Sequence, residues 1–152
     1  MSGTLRIQAI SGHAGPVPGQ GTQRQPQVAK LIDTTTCIGC KACEVACLEW
    51  NDLPFRETVF QNTYQTMPET AWNYWNLIKF NEHPQPDGGM MWLMRKDQCM
   101  HCADPGCLAA CPADNAIVQY QNGIVDFQQE YCIGCQYCVT GCPFNIPKFN
   151  PN

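Results

Sequence analysis

The pattern of apolar and polar positions changes abruptly along this 152-residue chain. Residues 1–27 are rich in Gly, Pro, Gln and Ser with almost no apolar periodicity, so they bury too little surface to offset their ordering entropy. They are expected to form a flexible N-terminal arm. The next run, Val28-Ala29-Lys30-Leu31-Ile32-Asp33, is short and β-compatible and predicts a strand. Residues 48–98 hold all four tryptophans, Trp50, Trp72, Trp75 and Trp92, with Phe55, Phe60, Tyr64, Tyr74 and Phe80. They predict an insertion with its own aromatic packing, which could serve as a satellite core or as an anchor surface for a partner. Farther on, Ala116–Tyr120 and Ile124–Phe127 are two short runs joined across Gln121-Asn122-Gly123. Asn-Gly between such runs signals an antiparallel hairpin.

Between these segments the chain repeats itself. Cys37-Ile38-Gly39-Cys40-Lys41-Ala42-Cys43-Glu44-Val45-Ala46-Cys47 returns as Cys132-Ile133-Gly134-Cys135-Gln136-Tyr137-Cys138-Val139-Thr140-Gly141-Cys142, with all four cysteines in register. A third group, Cys99, Cys102, Cys107 and Cys111, differs by two extra residues in its middle gap. The spacing Cys-x2-Cys-x2-Cys-x3-Cys, with Pro143 after the last cysteine of the second copy, is the bacterial ferredoxin run for a [4Fe-4S] cluster. One tight loop must grip a cubane at three corners, and Gly39 and Gly134 let the backbone turn closely enough. In two-cluster ferredoxins the fourth thiolate of a run serves the other cluster. Applied here, that rule joins Cys99, Cys102 and Cys107 with Cys142, and Cys132, Cys135 and Cys138 with Cys111. Pro112 and Pro143, each directly after a crossing cysteine, fit the pairing.

Other uses of twelve cysteines fit the spacing less well. Structural zinc favours two Cys-x2-Cys knuckles roughly 12 to 20 residues apart, whereas here four cysteines crowd each short run. A disulfide framework would force many strained local pairings. His101, between Cys99 and Cys102, is read as a loop side chain that hydrogen-bonds locally, because a Rieske-type site needs two histidines in place of cysteines. Tyr131 and Tyr137 flank a cluster loop and are read as packing aromatics in preference to electron relays.

Composition narrows the function further. Only 14% of residues are charged, against roughly 25% in ordinary soluble domains, so a partner is expected to cover part of the surface. A net charge of -4 has the wrong sign for neutralising phosphates and argues against nucleic acid. No apolar run approaches the roughly 18 residues that span a bilayer, so no transmembrane helix is expected. The N-terminus shows no secretory signal pattern. His13 and His83 lie in polar, Pro-containing stretches, and no nucleophile-and-base pair, phosphate loop or flavin motif is visible. The chain is therefore expected to move electrons without catalysing a reaction itself.

Several longer strings carry a resemblance. Val28–Asp33 leading into Cys37-Ile38-Gly39-Cys40-Lys41-Ala42-Cys43, and Cys47 through Trp50-Asn51-Asp52, resemble the start of the β (iron-sulfur) subunit of membrane-associated bacterial formate dehydrogenase. Arg95-Lys96-Asp97-Gln98-Cys99-Met100-His101-Cys102, Asp104-Pro105-Gly106-Cys107, Asn122-Gly123-Ile124-Val125-Asp126-Phe127 and Cys142-Pro143-Phe144-Asn145-Ile146-Pro147 are similar to that subunit as well. The resemblance covers residues 28 to 149.

It implies an electron conduit between a molybdopterin catalytic α subunit that oxidises formate and a membrane cytochrome b γ subunit with its quinone. It implies a place on the periplasmic face of the bacterial inner membrane; the alternative is the cytoplasm. It also implies a fourth cysteine group and a C-terminal membrane helix beyond Asn152, so the chain is expected to be a partial sequence. In that family the first group pairs with the fourth. The simplest count instead closes Cys37, Cys40, Cys43 and Cys47 on one cluster. Two robust [4Fe-4S] clusters and a third, incomplete site are expected. The competing readings are a free-standing polyferredoxin carrier, or the iron-sulfur subunit of another molybdopterin oxidoreductase. The expected fold class is α+β: a ferredoxin-like 4Fe-4S dicluster fold over residues 28–152, with small antiparallel β-hairpins, short helices and long cluster-binding loops.

Overall fold

The computed structural model describes residues 29–54, 57–58 and 60–150. The flexible arm expected at 1–27 lies outside them, as do Val28 and Phe55. Two compact units result, one built on Lys30–Cys99 and the other on Met100–Pro147.

The first unit contains a helix, α1 (Ala42–Trp50), and one long hairpin, β1 (Leu77–Pro84) with β2 (Met90–Asp97). Helix α1 starts immediately after Lys41, which is left-handed at φ 62°. It ends in a Schellman arrangement: Asp52 is left-handed at φ 49°, its N–H reaches Glu49 O at 3.3 Å, and Leu53 N–H reaches Leu48 O at 3.0 Å. Strands β1 and β2 pair antiparallel from Leu77 opposite Asp97 to Pro84 opposite Met90. The turn between them is made by Gln85-Pro86-Asp87-Gly88-Gly89, with Gly88 at φ 85° and Asp87 Oδ1 accepting from Gly89 N–H at 2.9 Å. Pro86 presets the backbone φ for the turn and Gly88 supplies its left-handed residue, and this Pro-Asp-Gly signal marks the hairpin inside the insertion.

The expected insertion core is smaller and less aromatic than its tryptophans suggest. Met67, Tyr74 and Leu77 form the buried cluster, with Leu48 of α1 and Ala71 packed on it. The four tryptophans stay at the surface, Trp50 almost fully, and Tyr64 stacks at a tilt on Phe80 and Trp92 with ring centroids 5.9 and 5.6 Å away. The base of the hairpin is buried at Leu77 and Ile78, while Met90, Met91, Trp92 and Leu93 near its tip are exposed. The buried cluster lies toward the hairpin's base and the exposed apolar side chains toward its tip.

The strand expected at Val28–Asp33 does not form over its described residues. Leu31 is 91% exposed. Asp33 instead turns the chain, its Oδ1 accepting from the Thr35 N–H at 2.9 Å and the Thr35 hydroxyl at 2.6 Å. A β-compatible run without a neighbouring strand gains no ladder, and an Asx turn satisfies the backbone locally. The hydrogen bonds from Thr35 lower the Asp33 pKa below the ordinary carboxylate value.

The second unit carries α2 (Gly106–Ala109), the short hairpin of β3 (Ile117–Gln119) with β4 (Val125–Phe127), and α3 (Tyr137–Gly141). The expected hairpin over Ala116–Phe127 is present and slightly shorter. Gly123, at φ 93°, donates its N–H to Tyr120 O at 2.9 Å, and Tyr120 N–H reaches Ile124 O at 2.8 Å. This is a three-residue turn closed by a left-handed glycine. Leu108, Ile117 and Val125 form the buried core.

Candidate metal centres

The repeat seen in the sequence is a repeat in the backbone. Gly39 and Gly134 are both left-handed, at φ 65° and 72°. So are Lys41 and Gln136, at φ 62° and 64°, each immediately before its helix. Left-handed residues alternating with ordinary ones turn successive N–H groups toward one side, forming the concave nests that hold anions and iron–sulfur clusters. A left-handed Lys or Gln costs roughly 1–2 kcal/mol, so the conformation is held by its surroundings. In the third group His101 occupies the glycine's place and is left-handed as well, at φ 44°. Its Nδ1 accepts the Val125 N–H at 3.1 Å. The hydrogen-bonding role expected of His101 is found, with a partner on β4 instead of its own loop.

None of the twelve cysteines is in a disulfide; Cys40, Cys132 and Cys135 are exposed and the other nine half-buried. In each group the third cysteine, Cys43, Cys107 or Cys138, sits inside a short helix, and the fourth follows one turn later. Helices α2 and α3 touch at glycines: a Cβ on Gly106 would lie 2.5 Å from Gly141 O, and one on Gly141 would lie 2.7 Å from Ala110 Cβ. That approach brings the cysteines of two groups onto one core, where Cys107, Cys111 and Cys138 all pack against Leu108, Ile117 and Val125. Burial pushes the Cys138 thiol pKa up, and the neighbouring Cys111 and Cys132 push it further. Three of the four cysteines in one expected crossed set, Cys111, Cys132 and Cys138, are therefore neighbours. Gln119 Nε2 fastens the adjoining loop by donating to Cys102 O at 3.0 Å and Ala103 O at 3.2 Å.

Among the described residues, no three His, Cys, Asp or Glu side chains converge tightly enough to share a single ion. A cubane has four iron corners, each with its own thiolate, and takes ligands spread around a larger body. The donor set and the nests fit that group. Cys99, Cys102, Cys107 and Cys142, the other crossed set, remain an expectation from spacing, as does Cys135 as a ligand.

The first group is tied to the insertion by side chains that its spacing does not reveal. Glu44, between Cys43 and Cys47, is 1% exposed. Its Oε2 accepts from the Thr66 and Tyr74 hydroxyls, both at 2.7 Å, and its Oε1 accepts from Ile78 N–H at 2.5 Å. Asn76 Nδ2 donates to Cys43 O at 2.7 Å. A Cβ on Gly39 would meet the Phe80 ring at 2.8 Å, and the Lys41 ammonium sits 5.6 Å from the centre of the same ring. At the end of α1, Asn51 Nδ2 donates to Cys47 O at 2.8 Å and contacts Cys47 Sγ at 3.6 Å.

Family profiles described as 4Fe-4S dicluster domain match residues 36–116 and 90–152. The chain belongs to the 4Fe-4S dicluster domain family. This dicluster chain is 58% identical over 149 residues to the formate dehydrogenase-O iron-sulfur subunit of Escherichia coli (strain K12), covering 97% of the chain and 48% of that relative. It is 54% identical over 133 residues to the nitrate-inducible formate dehydrogenase iron-sulfur subunit of the same organism, covering 88% and 45%. It is 51% identical over 150 residues to the formate dehydrogenase iron-sulfur subunit of Haemophilus influenzae, covering 97% and 46%. The chain spans about half the length of the curated relatives it matches. The resemblance and the α+β dicluster fold expected from the cysteine runs both hold. No helix among the described residues is long and apolar enough to cross a membrane.

Proposed function

We propose that the chain is the electron-transfer part of a formate dehydrogenase iron-sulfur subunit. It passes electrons from a molybdopterin catalytic subunit towards a membrane cytochrome b and quinone, on the periplasmic face of the inner membrane. The observation that carries this reading is the triple occurrence of four cysteines, none in a disulfide, on loops with a left-handed residue at the same place, in a chain more than half identical to such subunits. A [4Fe-4S] cluster supplies one-electron chemistry when thiolates hold it. Cys37, Cys40, Cys43 and Cys47 would serve the first group. Cys99, Cys102, Cys107 and Cys142 would hold a second cluster, and Cys132, Cys135, Cys138 and Cys111 a third.

The chain's own residues supply the surroundings of those clusters. The left-handed turns at Gly39 and Lys41, and at Gly134 and Gln136, would present N–H groups to the thiolates and sulfide of a bound cluster. Leu108, Ile117 and Val125 exclude water from Cys107, Cys111 and Cys138. Asn76 donates to the Cys43 carbonyl, and Glu44 ties the next residue of α1 to Thr66, Tyr74 and Ile78; a ligand frame fixed in this way would keep reorganisation small during electron transfer.

Anaerobic purification with metal and sulfide analysis tests this reading. A brown protein with acid-labile sulfide in near-equal amount to iron is expected, together with a co-purifying pterin-containing partner. Colourless protein with stoichiometric zinc overturns the cluster assignment, and an iron-loaded monomer that exchanges electrons without a partner favours a free-standing carrier.

A further inference from the structure

The end of α1 places a neutral side-chain donor on a candidate ligand sulfur. Asn51 is the C-cap of the helix, and its backbone N–H already reaches Cys47 O at 3.2 Å. Its side-chain amide is not needed for that cap, yet it turns back along the helix and donates to the same carbonyl at 2.8 Å. An amide nitrogen carries two N–H groups. With one committed to the carbonyl, the nitrogen is fixed 3.6 Å from Cys47 Sγ, within reach of a bond to sulfur. The position is solvent-facing, where a free amide would exchange with water; the carbonyl bond is what holds it on the thiol. Cys111, the fourth cysteine of another group, has a different neighbour, with its Sγ 3.6 Å from Ala113 O, an acceptor. Fourth cysteines in this chain are therefore not surrounded alike.

Hydrogen bonds to the sulfurs are among the features that set the reduction potential of an iron–sulfur cluster. A donor stabilises negative charge on sulfur, and the reduced cluster carries one more negative charge than the oxidised one, so the donor favours reduction. We propose that Asn51 is a potential-setting residue: its amide, donating to Cys47 Sγ, holds up the reduction potential of whichever cluster Cys47 ligates. The inference rests on the proposed function above, because it needs Cys47 to hold a cluster. It applies equally whether the first group closes on itself or shares Cys47 with cysteines elsewhere in the assembly.

The test is a redox titration of the assembled complex, followed by electron paramagnetic resonance, for the wild type, Asn51→Leu and Asn51→Ala. Leu keeps the approximate volume without a donor; Ala also removes the bulk, and both keep the backbone cap. The expected result is a negative shift in the midpoint potential of one cluster in both variants, with the other clusters and the iron content unchanged. Loss of an exchangeable-proton coupling from that same cluster should accompany the shift. Unchanged potentials with full iron content make Asn51 a helix cap only and overturn the inference. Loss of the cluster in both variants overturns it too, because Asn51 would then be a structural support. A wild-type protein without iron–sulfur signals instead overturns the underlying function.

Discussion

Glu44 is the most deeply buried charged side chain among the described residues, and its placement explains how α1 presents its cysteines. One face of the helix, Glu44 and Leu48, is committed to the insertion, which leaves Cys43 and Cys47, each one position earlier, on the adjacent face. Replacing Glu44 with Ala leaves the Thr66 and Tyr74 hydroxyls and the Ile78 N–H without their acceptor, at about 1–3 kcal/mol for each group that stays dry. Glu44→Ala is expected to lower the thermal midpoint of the iron-loaded protein strongly. Glu44→Gln should cost far less, since Gln keeps an acceptor for Ile78 and the hydroxyls can rotate to accept from its amide. Equal midpoints for Ala and wild type would mean that the network is ornamental. Burial, and then the bond to Glu44, push the Tyr74 pKa well above its ordinary value. A raised pKa contributes stability that is complete below the unfolded value of about 10 and is lost as pH rises through the folded value. The wild type should therefore lose stability above about pH 10, and Tyr74→Phe should remove that part of the decline in a series of alkaline melting curves. None of this was legible in the sequence. The twelve ligand candidates announce themselves by spacing, but the partners of Glu44 lie 22, 30 and 34 residues away.

The elements divide along the same physical line. Hairpin β3–β4 could be read in advance because its turn chemistry, Asn122-Gly123, is local. Hairpin β1–β2 carried an equally local signal in Pro86-Asp87-Gly88, which the tryptophans around it obscured. The run at Val28–Asp33 had strand composition, and a strand needs a partner that composition does not provide. Glycine shows how one residue type serves two ends. Gly88 has nothing within 4 Å of its missing Cβ and is required only for its φ of 85°. Gly106 is required for space, because a Cβ there would overlap Gly141 O. Gly106→Ala should push α2 and α3 apart at about 1–3 kcal/mol, moving Cys107 and Cys111 relative to Cys138. Iron release to a chelator should then quicken. Gly88→Ala, a control with a backbone penalty of similar size at the tip of the other hairpin, should release iron at the wild-type rate. Equal rates for the two variants would show that the α2–α3 contact does not hold the ligands in place.

At the scale of the whole chain, ligand number is the constraint. Twelve thiols divided among four-thiolate cubanes allow three clusters, but only if each group finds a fourth ligand. The second and third groups can exchange theirs, and their helices α2 and α3 already share one core. The first group has no such exchange partner among the twelve. Its fourth cysteine, Cys47, must either close on Cys37, Cys40 and Cys43 or serve a cluster whose other ligands lie outside these 152 residues. The turn that leads Cys111 toward Cys138 belongs to the same repeat as the one that carries Cys47, so Cys47 is expected to lead outward too. Residues 1–152 expressed alone should hold about eight tightly bound irons per chain, corresponding to two cubanes, with a labile and oxygen-sensitive third site. Cys47 should react with an alkylating agent, because an unligated, partly exposed thiol remains open to attack. Iron analysis reads the first expectation, and peptide mapping after alkylation of the same sample under anaerobic conditions reads the second. About twelve irons per chain with Cys47 protected would show that the first group closes on itself, and Asn51 would then sit on a cluster completed entirely within α1 and its preceding loop.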